Sequence, residues 1–395
     1  YYCIFKDYKS GMEFIRNSQD LVHNGFYAEL AGYQYMVLMD WRIVESSASR
    51  PYAMIADYLG GRGVPSVDDA IRELMVEPVR TPFRNLVNAE FLTELVSHRD
   101  PKTYELDADN DIFEEFENRM IDLLRAIRDF IGADEFVDNI ALMDGVEYAD
   151  DDENGDTPVG TAYMPSENDD ENMDENADAP VGTAYMPSDD DKNAVVDDDI
   201  SIIENIAADI MDTIIGMLQI EAPKTPALLN LWQAKGEDKG LWAAWVITLI
   251  LQGAGTPDQA RSWMDEWFLN RIILTALTEM GMDAGNADKL LMAIKLSVAE
   301  PDMVFKEFFA TATDLLNYVL NDRDGQAWLG INTFQEVLWY SGEGFELYLL
   351  WLLGLGTILA IDDGIDAREV AVASLYSASK RSDYQVERLK RLMKK

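Results

Sequence analysis

Asp150, Asp152 and Asn154 place oxygen-bearing side chains at alternate positions ahead of Gly155. That spacing matches the first half of a calcium loop, where carboxylates and an amide carbonyl ligate a hard cation and glycine permits the turn. The twelfth position of such a loop carries a bidentate glutamate, and here it is Thr161. A chance match inside an Asp-rich stretch explains the pattern more simply. Loose binding of divalent ions by the whole acidic run is the weaker alternative, and no cofactor is expected. Carboxylates beside aromatics are a second kind of candidate, because a general acid needs a carboxyl whose pKa is raised by burial. Glu336 beside Trp339, and Asp40 beside Trp41 and Arg42, have that arrangement. The simpler reading of Asp40 and Arg42 is an ion pair at a strand end.

Aromatic rings are a third kind, since the apolar C–H faces of sugars stack on them. Trp263 and Trp267 are four apart, which is the spacing of a buried helix face. Trp328, between Gly325 and Gly330, is expected in a loop and is the best candidate for an exposed platform. The candidate ligand contacts are therefore Trp41, Arg42, Trp328 and Trp339. The glycine run Gly60-Gly61-Arg62-Gly63 has backbone N–H groups that suit an anion, but a helix-to-helix turn is the plainer reading. The chain has no HExxH pair, GxSxG elbow or P-loop. Its two histidines, His23 and His98, exclude a three-imidazole site, and its one cysteine, Cys3, excludes a disulfide framework and a cysteine-based zinc site.

The elements that must carry these residues fall into four stretches. Residues 1–50 are expected to be partly extended: the run 26–44 is rich in Tyr, Val, Ile and Trp, and Tyr33, Tyr35, Val37, Met39, Trp41 and Ile43 alternate. A helix through the same run is the competitor. Residues 51–145 read as helical. Ser66 and Asp69 begin a helix over 67–76, Pro82 sits in the first turn of another, and Ile112, Phe116, Met120, Leu123, Ile127 and Phe130 mark one face of a helix over 111–131. Residues 200–395 read as wholly helical, with segments at 200–219, 225–235, 239–252, 258–281, 286–298, 302–321, 333–339, 343–361, 366–380 and 383–394. Short connections there suggest antiparallel packing. The fold class is thus mainly α: a small partly extended start, a bundle-like core and a disordered acidic insertion.

That insertion, 146–199, separates the two helical stretches. Residues 141–200 hold 20 acidic side chains and one basic, Lys192, out of a whole-chain net charge of −41. Thr157–Ser166 recurs as Ala179–Ser188, both copies carrying PVGTAYMPS. Two copies are too few for a solenoid, and so polar a segment cannot offset its ordering entropy. The functional alternative is that each copy docks as a short extended ligand on a protein partner. The charge argues against nucleic acid, whose phosphates need clustered Lys and Arg. The uncharged runs Leu347–Ile361 and Leu241–Leu251 are shorter than the roughly 20 residues of a spanning helix and read as buried central helices, so no membrane contact is expected. The basic end, Arg388, Lys390, Arg391, Lys394 and Lys395, reads as a solvated helix. The chain opens on Tyr1-Tyr2-Cys3 and is read as a piece of a longer protein, expected in the cytoplasm.

Several stretches together carry a resemblance. They are Ile4–Ile15 (IFKDYKSGMEFI), Gly25–Leu30 (GFYAEL) with Tyr33-Gln34-Tyr35 and Leu38-Met39-Asp40-Trp41-Arg42, Tyr58–Ser66 (YLGGRGVPS), Leu329-Gly330-Ile331-Asn332, Val337-Leu338-Trp339-Tyr340 and Phe345-Glu346. The chain resembles the C-terminal, mainly helical region of large bacterial proteins of the α-amylase superfamily, glycoside hydrolase family 13. The resemblance implies that catalysis resides in a (β/α)₈ barrel with an Asp nucleophile, a Glu acid/base and a second Asp, acting on α-glucans by the retaining mechanism. No strand–helix alternation of that kind is present here, so no catalytic residue is carried over. The expected function is a non-catalytic accessory region, with its own upstream barrel or an α-glucan as partner. A stand-alone scaffold that recruits a protein through the acidic repeats is the rival, and a helical enzyme using buried carboxylates is a third reading.

Overall fold

The computed structural model describes every residue except 34, 48–49, 105, 107–109, 134, 138, 140–188, 300–311, 359–363 and 394–395. The protein is mainly α, with a small sheet at its start. Strands β1 (Tyr2–Asp7), β2 (Glu13–Asn17) and β3 (Leu38–Val44) form an antiparallel sheet in the order β2-β1-β3. β1 lies in the middle, so Cys3, Ile4 and Phe5 are buried. A tight turn joins β1 to β2. The Asp7 carboxylate accepts hydrogen bonds there from the Ser10 N–H and hydroxyl, and Gly11 takes a positive φ. After β2 comes the short helix α1 (Ser18–Asn24), capped by Asn17.

Period-two alternation gives the sheet two unlike faces. Ile4 and Ile15 pack against Tyr52, Ile55 and Leu59 of α2 (Tyr52–Leu59) and Val67 and Ile71 of α3 (Val67–Met75). Phe5 and Phe14 point the other way, where among the described residues they pack with Phe26 and Trp41 and not under a helix. The expected strand over 26–44 is shorter than its composition suggested. Tyr33 has φ +66, and the chain turns at Gly32 and Tyr33 before pairing begins at Leu38.

A second, larger core begins at Val76 and runs to Leu389. It joins α4 (Glu77–Leu86), α5 (Ala89–Ser97) and α6 (Asp111–Ile131) to the later helices α7 (Asp189–Leu218), α8 (Pro226–Leu231), α9 (Lys239–Ala254), α10 (Pro257–Glu266), α11 (Leu269–Glu279) and α12 (Ala284–Ala299). α13 (Ala312–Asn321), α14 (Arg323–Trp328), α15 (Gly342–Ile358), α16 (Gly364–Arg381) and α17 (Val386–Met393) complete it. On α6 the expected apolar face is the buried one, except that Phe130 sits at its rim against Trp267. α9 is apolar all round because neighbours surround it. Leu241 through Leu251 are all buried, as are Tyr348 through Leu352 on α15. Among the described residues no helix is long and apolar enough to cross a membrane.

Four expectations about elements change. Residues 333–339 are a hairpin, β4 (Asn332–Phe334) and β5 (Val337–Trp339), because Gln335 and Glu336 both take positive φ in a two-residue turn and Thr333 and Val337 favour extended backbone. Residues 258–281 are two helices. The chain reverses at Phe268, φ +56, after Trp267 stacks on Trp263 with ring centroids 4.3 Å apart. Pro78 fills the first turn of α4 and Pro82 lies inside that helix. α7 begins at Asp189 and so takes in the end of the stretch expected to be without structure. The two PVGTAYMPS copies lie outside the described residues.

Candidate functional site

The sequence candidates do not converge on one site. Asp150, Asp152 and Asn154 lie outside the described residues, and among those described no group of three or more metal-ligating side chains is placed to hold an ion. Trp328 is not an exposed platform: it is the last residue of α14 and 0% exposed. Its ring packs edge-on against Tyr348 and Trp351, with centroids at 5.2 and 5.8 Å. The flanking glycine that suggested a loop has another use. Gly325 lies against the Val319 carbonyl and lets α14 approach α13 without a side chain between them. Trp339 is half-buried on β5, and its Nε1 donates across the hairpin to the Phe334 carbonyl at 3.4 Å. Glu336 stands exposed in the hairpin turn.

Trp41 and Arg42 remain, neighbours on β3 that serve opposite faces of the sheet. The pairing of β3 with β1 slips between Ile4↔Arg42 and Lys6↔Met39, so Asp40 and Trp41 together face Phe5 in a β-bulge. Asp40 takes φ +56 there. The bulge aims Trp41 onto the Phe5 ring, with centroids 4.6 Å apart and planes 28° apart, and its Nε1 donates to the Leu38 carbonyl at 3.2 Å. Phe14 stacks on the far edge of Phe5 at 5.9 Å, and Phe26 meets both Phe5 and Trp41 edge-on. The result is an aromatic plateau whose top, Trp41, is 51% exposed, and Ile43 beyond it is 73% exposed.

Arg42 turns the other way and does not pair with Asp40. Its Nη2 donates to Asp68 at 2.8 Å and Glu13 at 3.3 Å. Glu13 also accepts from the Val67 N–H at 2.8 Å, and Tyr52 donates to Asp68 at 3.1 Å. Burial first, and then the Asp68 charge, push the Tyr52 hydroxyl's pKa up. Arg42 is therefore a clamp that holds β3 and β2 to α3, beside a cleft of 520 Å³ that also includes Arg50 and Arg72. The glycine run beyond α2 is a turn: the Gly60 N–H bonds to Ala56 and Asp57 carbonyls and the Arg62 N–H to Leu59, so these donors are spent on the helix end.

The carboxyl pKa shifts that occur are downward. Hydrogen bonds from Ser10 lower Asp7, and backbone N–H groups beginning with Lys102 lower Asp100. Burial pushes Glu346 up, but Lys235 and Lys380 outweigh it; burial likewise raises Glu369 against the stronger combined pull of Thr225 and its neighbours. These four carboxyls are tuned toward the charged form, the wrong direction for a general acid. Sequence reasoning missed the floor of the plateau, Phe5, Phe14 and Phe26. The alternation of Phe5 and Phe14 against Ile4 and Ile15 was the available signal.

The chain matches no family model, no curated protein and no solved structure.

Proposed function

We propose that this chain is a non-catalytic, helical accessory region of a cytoplasmic α-glucan-active enzyme of the α-amylase superfamily, and that it meets the catalytic barrel through the uncovered face of its N-terminal sheet. One observation carries the reading. Of the 22 large apolar side chains exposed among the described residues, 14 fall within the first 44 residues, and Phe26, Trp41 and Ile43 of these share the Phe5 face of the sheet. Scattered exposed apolar residues are ordinary, whereas a concentrated patch marks a place of contact. Its make-up favours a protein over a sugar. Ile43, paired with Cys3 on the same face, accompanies the aromatics, and an aliphatic chain gives a polysaccharide little to hydrogen-bond. Arg42, which follows Trp41, is engaged with Glu13 and Asp68 on the opposite face, which leaves Asp40 as the polar neighbour beside the ring.

The test is to produce this chain and the barrel encoded upstream in the same reading frame as separate polypeptides and to titrate one with the other. Saturable association is expected, weakened about tenfold or more by Trp41→Asp and by Ile43→Asp, because central aromatic and aliphatic anchors dominate such interfaces. A reading frame without a barrel, or association that ignores both substitutions, overturns the reading. Retardation in a glycogen gel that depends on Trp41, without barrel association, would assign the plateau to polysaccharide.

A further inference from the structure

The two cores share no residue. Leu74 near the end of α3 packs against the first core, Val76 belongs to the second, and Met75 between them is 42% exposed. The chain passes from one to the other through a single residue: α3 ends at Met75, α4 starts at Glu77, and Val76 caps both. The Val76 N–H donates back to the Arg72 carbonyl of α3 at 3.2 Å, while the Val76 carbonyl accepts from Val79 and Arg80 of α4 at 3.1 and 3.0 Å. Pro78 has no N–H, so it breaks the i→i−4 ladder that would otherwise make α3 and α4 one rod.

Side chains add little to that joint. Among the described residues, every ion pair that crosses from residues 1–75 to the helical body runs through Glu73 of α3. Glu73 pairs closely with Arg271 of α11 and lies 3.9 Å from Arg80 of α4. The Arg271 side chain is 64% exposed and that of Glu73 31%, so water competes for the pair. Two units without a common apolar core move against each other as rigid bodies by default. A few residues at the ends of elements absorb such a movement, and Val76 with Pro78 is where this chain can turn.

We propose that residues 1–75 swing as one rigid unit about Val76, with the Glu73 carboxylate as an ionic latch that holds them against α11. Each core stays intact in the movement, because neither takes a residue from the other. Inside the first unit Arg42 of β3 bonds to Glu13 of β2 and Asp68 of α3, so the sheet travels with α3. The aromatic plateau therefore has a fixed shape and a variable direction relative to the helical body. Losing an exposed ion pair changes an equilibrium by about two- to fivefold, so the latch biases the closed position without locking it. The movement stands apart from what the plateau binds, and its test needs no partner.

Spin labels on Met54→Cys in α2 and Glu94→Cys in α5, both exposed positions, report the distance between the units in the full chain by pulsed electron resonance. Cys3 is buried and stays unlabelled. Physiological ionic strength is used, where a Debye length of about 8 Å screens the long-range repulsion of so acidic a chain but spares a pair in contact. A main and a minor distance population are expected. Glu73→Gln and Arg271→Gln should each raise the minor one relative to the main by about two- to fivefold. Glu73→Gln also leaves Arg80, whose side chain is 10% exposed, with Glu77 alone, whereas Arg271→Gln leaves both of its carboxylates in place. A control pair within the helical body, Glu94→Cys with Asp258→Cys, should keep one narrow distance throughout. A single narrow distance between the units in the parent and both variants would overturn the proposal. So would a population ratio that neither variant changes, or equal broadening of the control pair, which marks a loosened helical body and not a swing.

Discussion

The two cores of this protein use the same residue types to opposite ends. In the first 75 residues a three-stranded sheet leans on two short helices, and Trp41 lies on the outside. In the helical body Trp232, Trp242, Trp245, Trp328 and Trp351 are all fully buried and touch one another in series. The difference follows from geometry. A sheet has two faces, and α2 with α3 can cover one of them. A helix such as α9 or α15 can be surrounded on every side, so its rings are enclosed. An aromatic is thus committed to stability or left for contact according to whether its element can be wrapped.

The largest effect belongs to the middle of the tryptophan chain. Trp351 lies 6.3 Å from Trp245 and 5.8 Å from Trp328, and its Nε1 donates to the Ser297 hydroxyl at 2.9 Å. Trp351→Ala removes a fully buried ring, and such truncations cost about 3–5 kcal/mol. Urea unfolding followed by far-ultraviolet circular dichroism measures it. A loss no greater than that of Trp41→Ala would erase the contrast between the cores.

Glycines sharpen the comparison next. A methyl group built on Gly354 would run into the Trp245 ring, and one on Gly325 into the Val319 carbonyl. Both neighbours are fixed by packing, so Gly354→Ala and Gly325→Ala should each cost about 1–3 kcal/mol through overpacking. Gly32, in the segment leading to β3, has open space around it. Gly32→Ala is expected to stay within about 0.5 kcal/mol of the parent, as open surface changes do. Thermal melts of the three variants read the difference.

The helical body was legible in the sequence where periodicity is strong. The face of α6 and the central positions of α9 and α15 followed from spacing and apolar runs. What failed was local backbone reversal. Phe268, Gln335 and Glu336 take positive φ without being glycine, asparagine or aspartate, so no residue type announced the break after α10 or the β4–β5 hairpin. The candidate site was half legible. Alternation through Trp41 and Ile43 pointed to a strand, yet an apolar stripe does not say which face a helix will cover, and here it is the bare one. Trp328 misled because two glycines read as a loop, whereas one of them is a close helix contact.

Electrostatics gives a smaller, pH-dependent effect confined to the helical body. Glu346 accepts hydrogen bonds from Lys235 at 2.8 Å and Lys380 at 3.0 Å, tying the turn after α8 to α15 and α16. Burial raises its pKa, the two ammonium groups outweigh that and hold it below the usual glutamate value, and Lys380 is held above the usual lysine value by the same hydrogen bond. A carboxyl depressed in the folded state stabilises above its unfolded pKa and loses that as pH falls through the folded one. The raised lysine stabilises below its unfolded pKa and loses that as pH climbs through its folded one. The deficit of Glu346→Gln should therefore be full near neutrality and shrink toward both acid and alkaline pH. Melting curves of the two proteins across pH test it, and a deficit that is flat with pH would mean that the pair contributes shape alone.

Trp41 is expected to matter less for folding than Trp351. Its ring rests on Phe5, meets Phe26 edge-on and has its other side in solvent, so Trp41→Ala forfeits two aromatic contacts at about 0.5–1.5 kcal/mol each and one exposed hydrogen bond, less than Trp351→Ala. That small loss is what makes the substitution informative. If the plateau were a core face left bare by chance, truncating its top would alter little else. If it is a contact surface, the same change should weaken association with the proposed barrel several-fold while moving the unfolding midpoint less than Trp351→Ala does. Fluorescence separates the populations directly. Iodide should quench a fraction of the emission from the nine tryptophans, and Trp41→Phe should remove the larger part of it, leaving a smaller part from the half-buried Trp339, because Trp232, Trp242, Trp245, Trp328 and Trp351 are fully buried. Binding of the proposed barrel should then protect the Trp41 part of that fraction in the parent chain. Protection without Trp41, or quenching undiminished by its replacement, would place the contact elsewhere on the sheet.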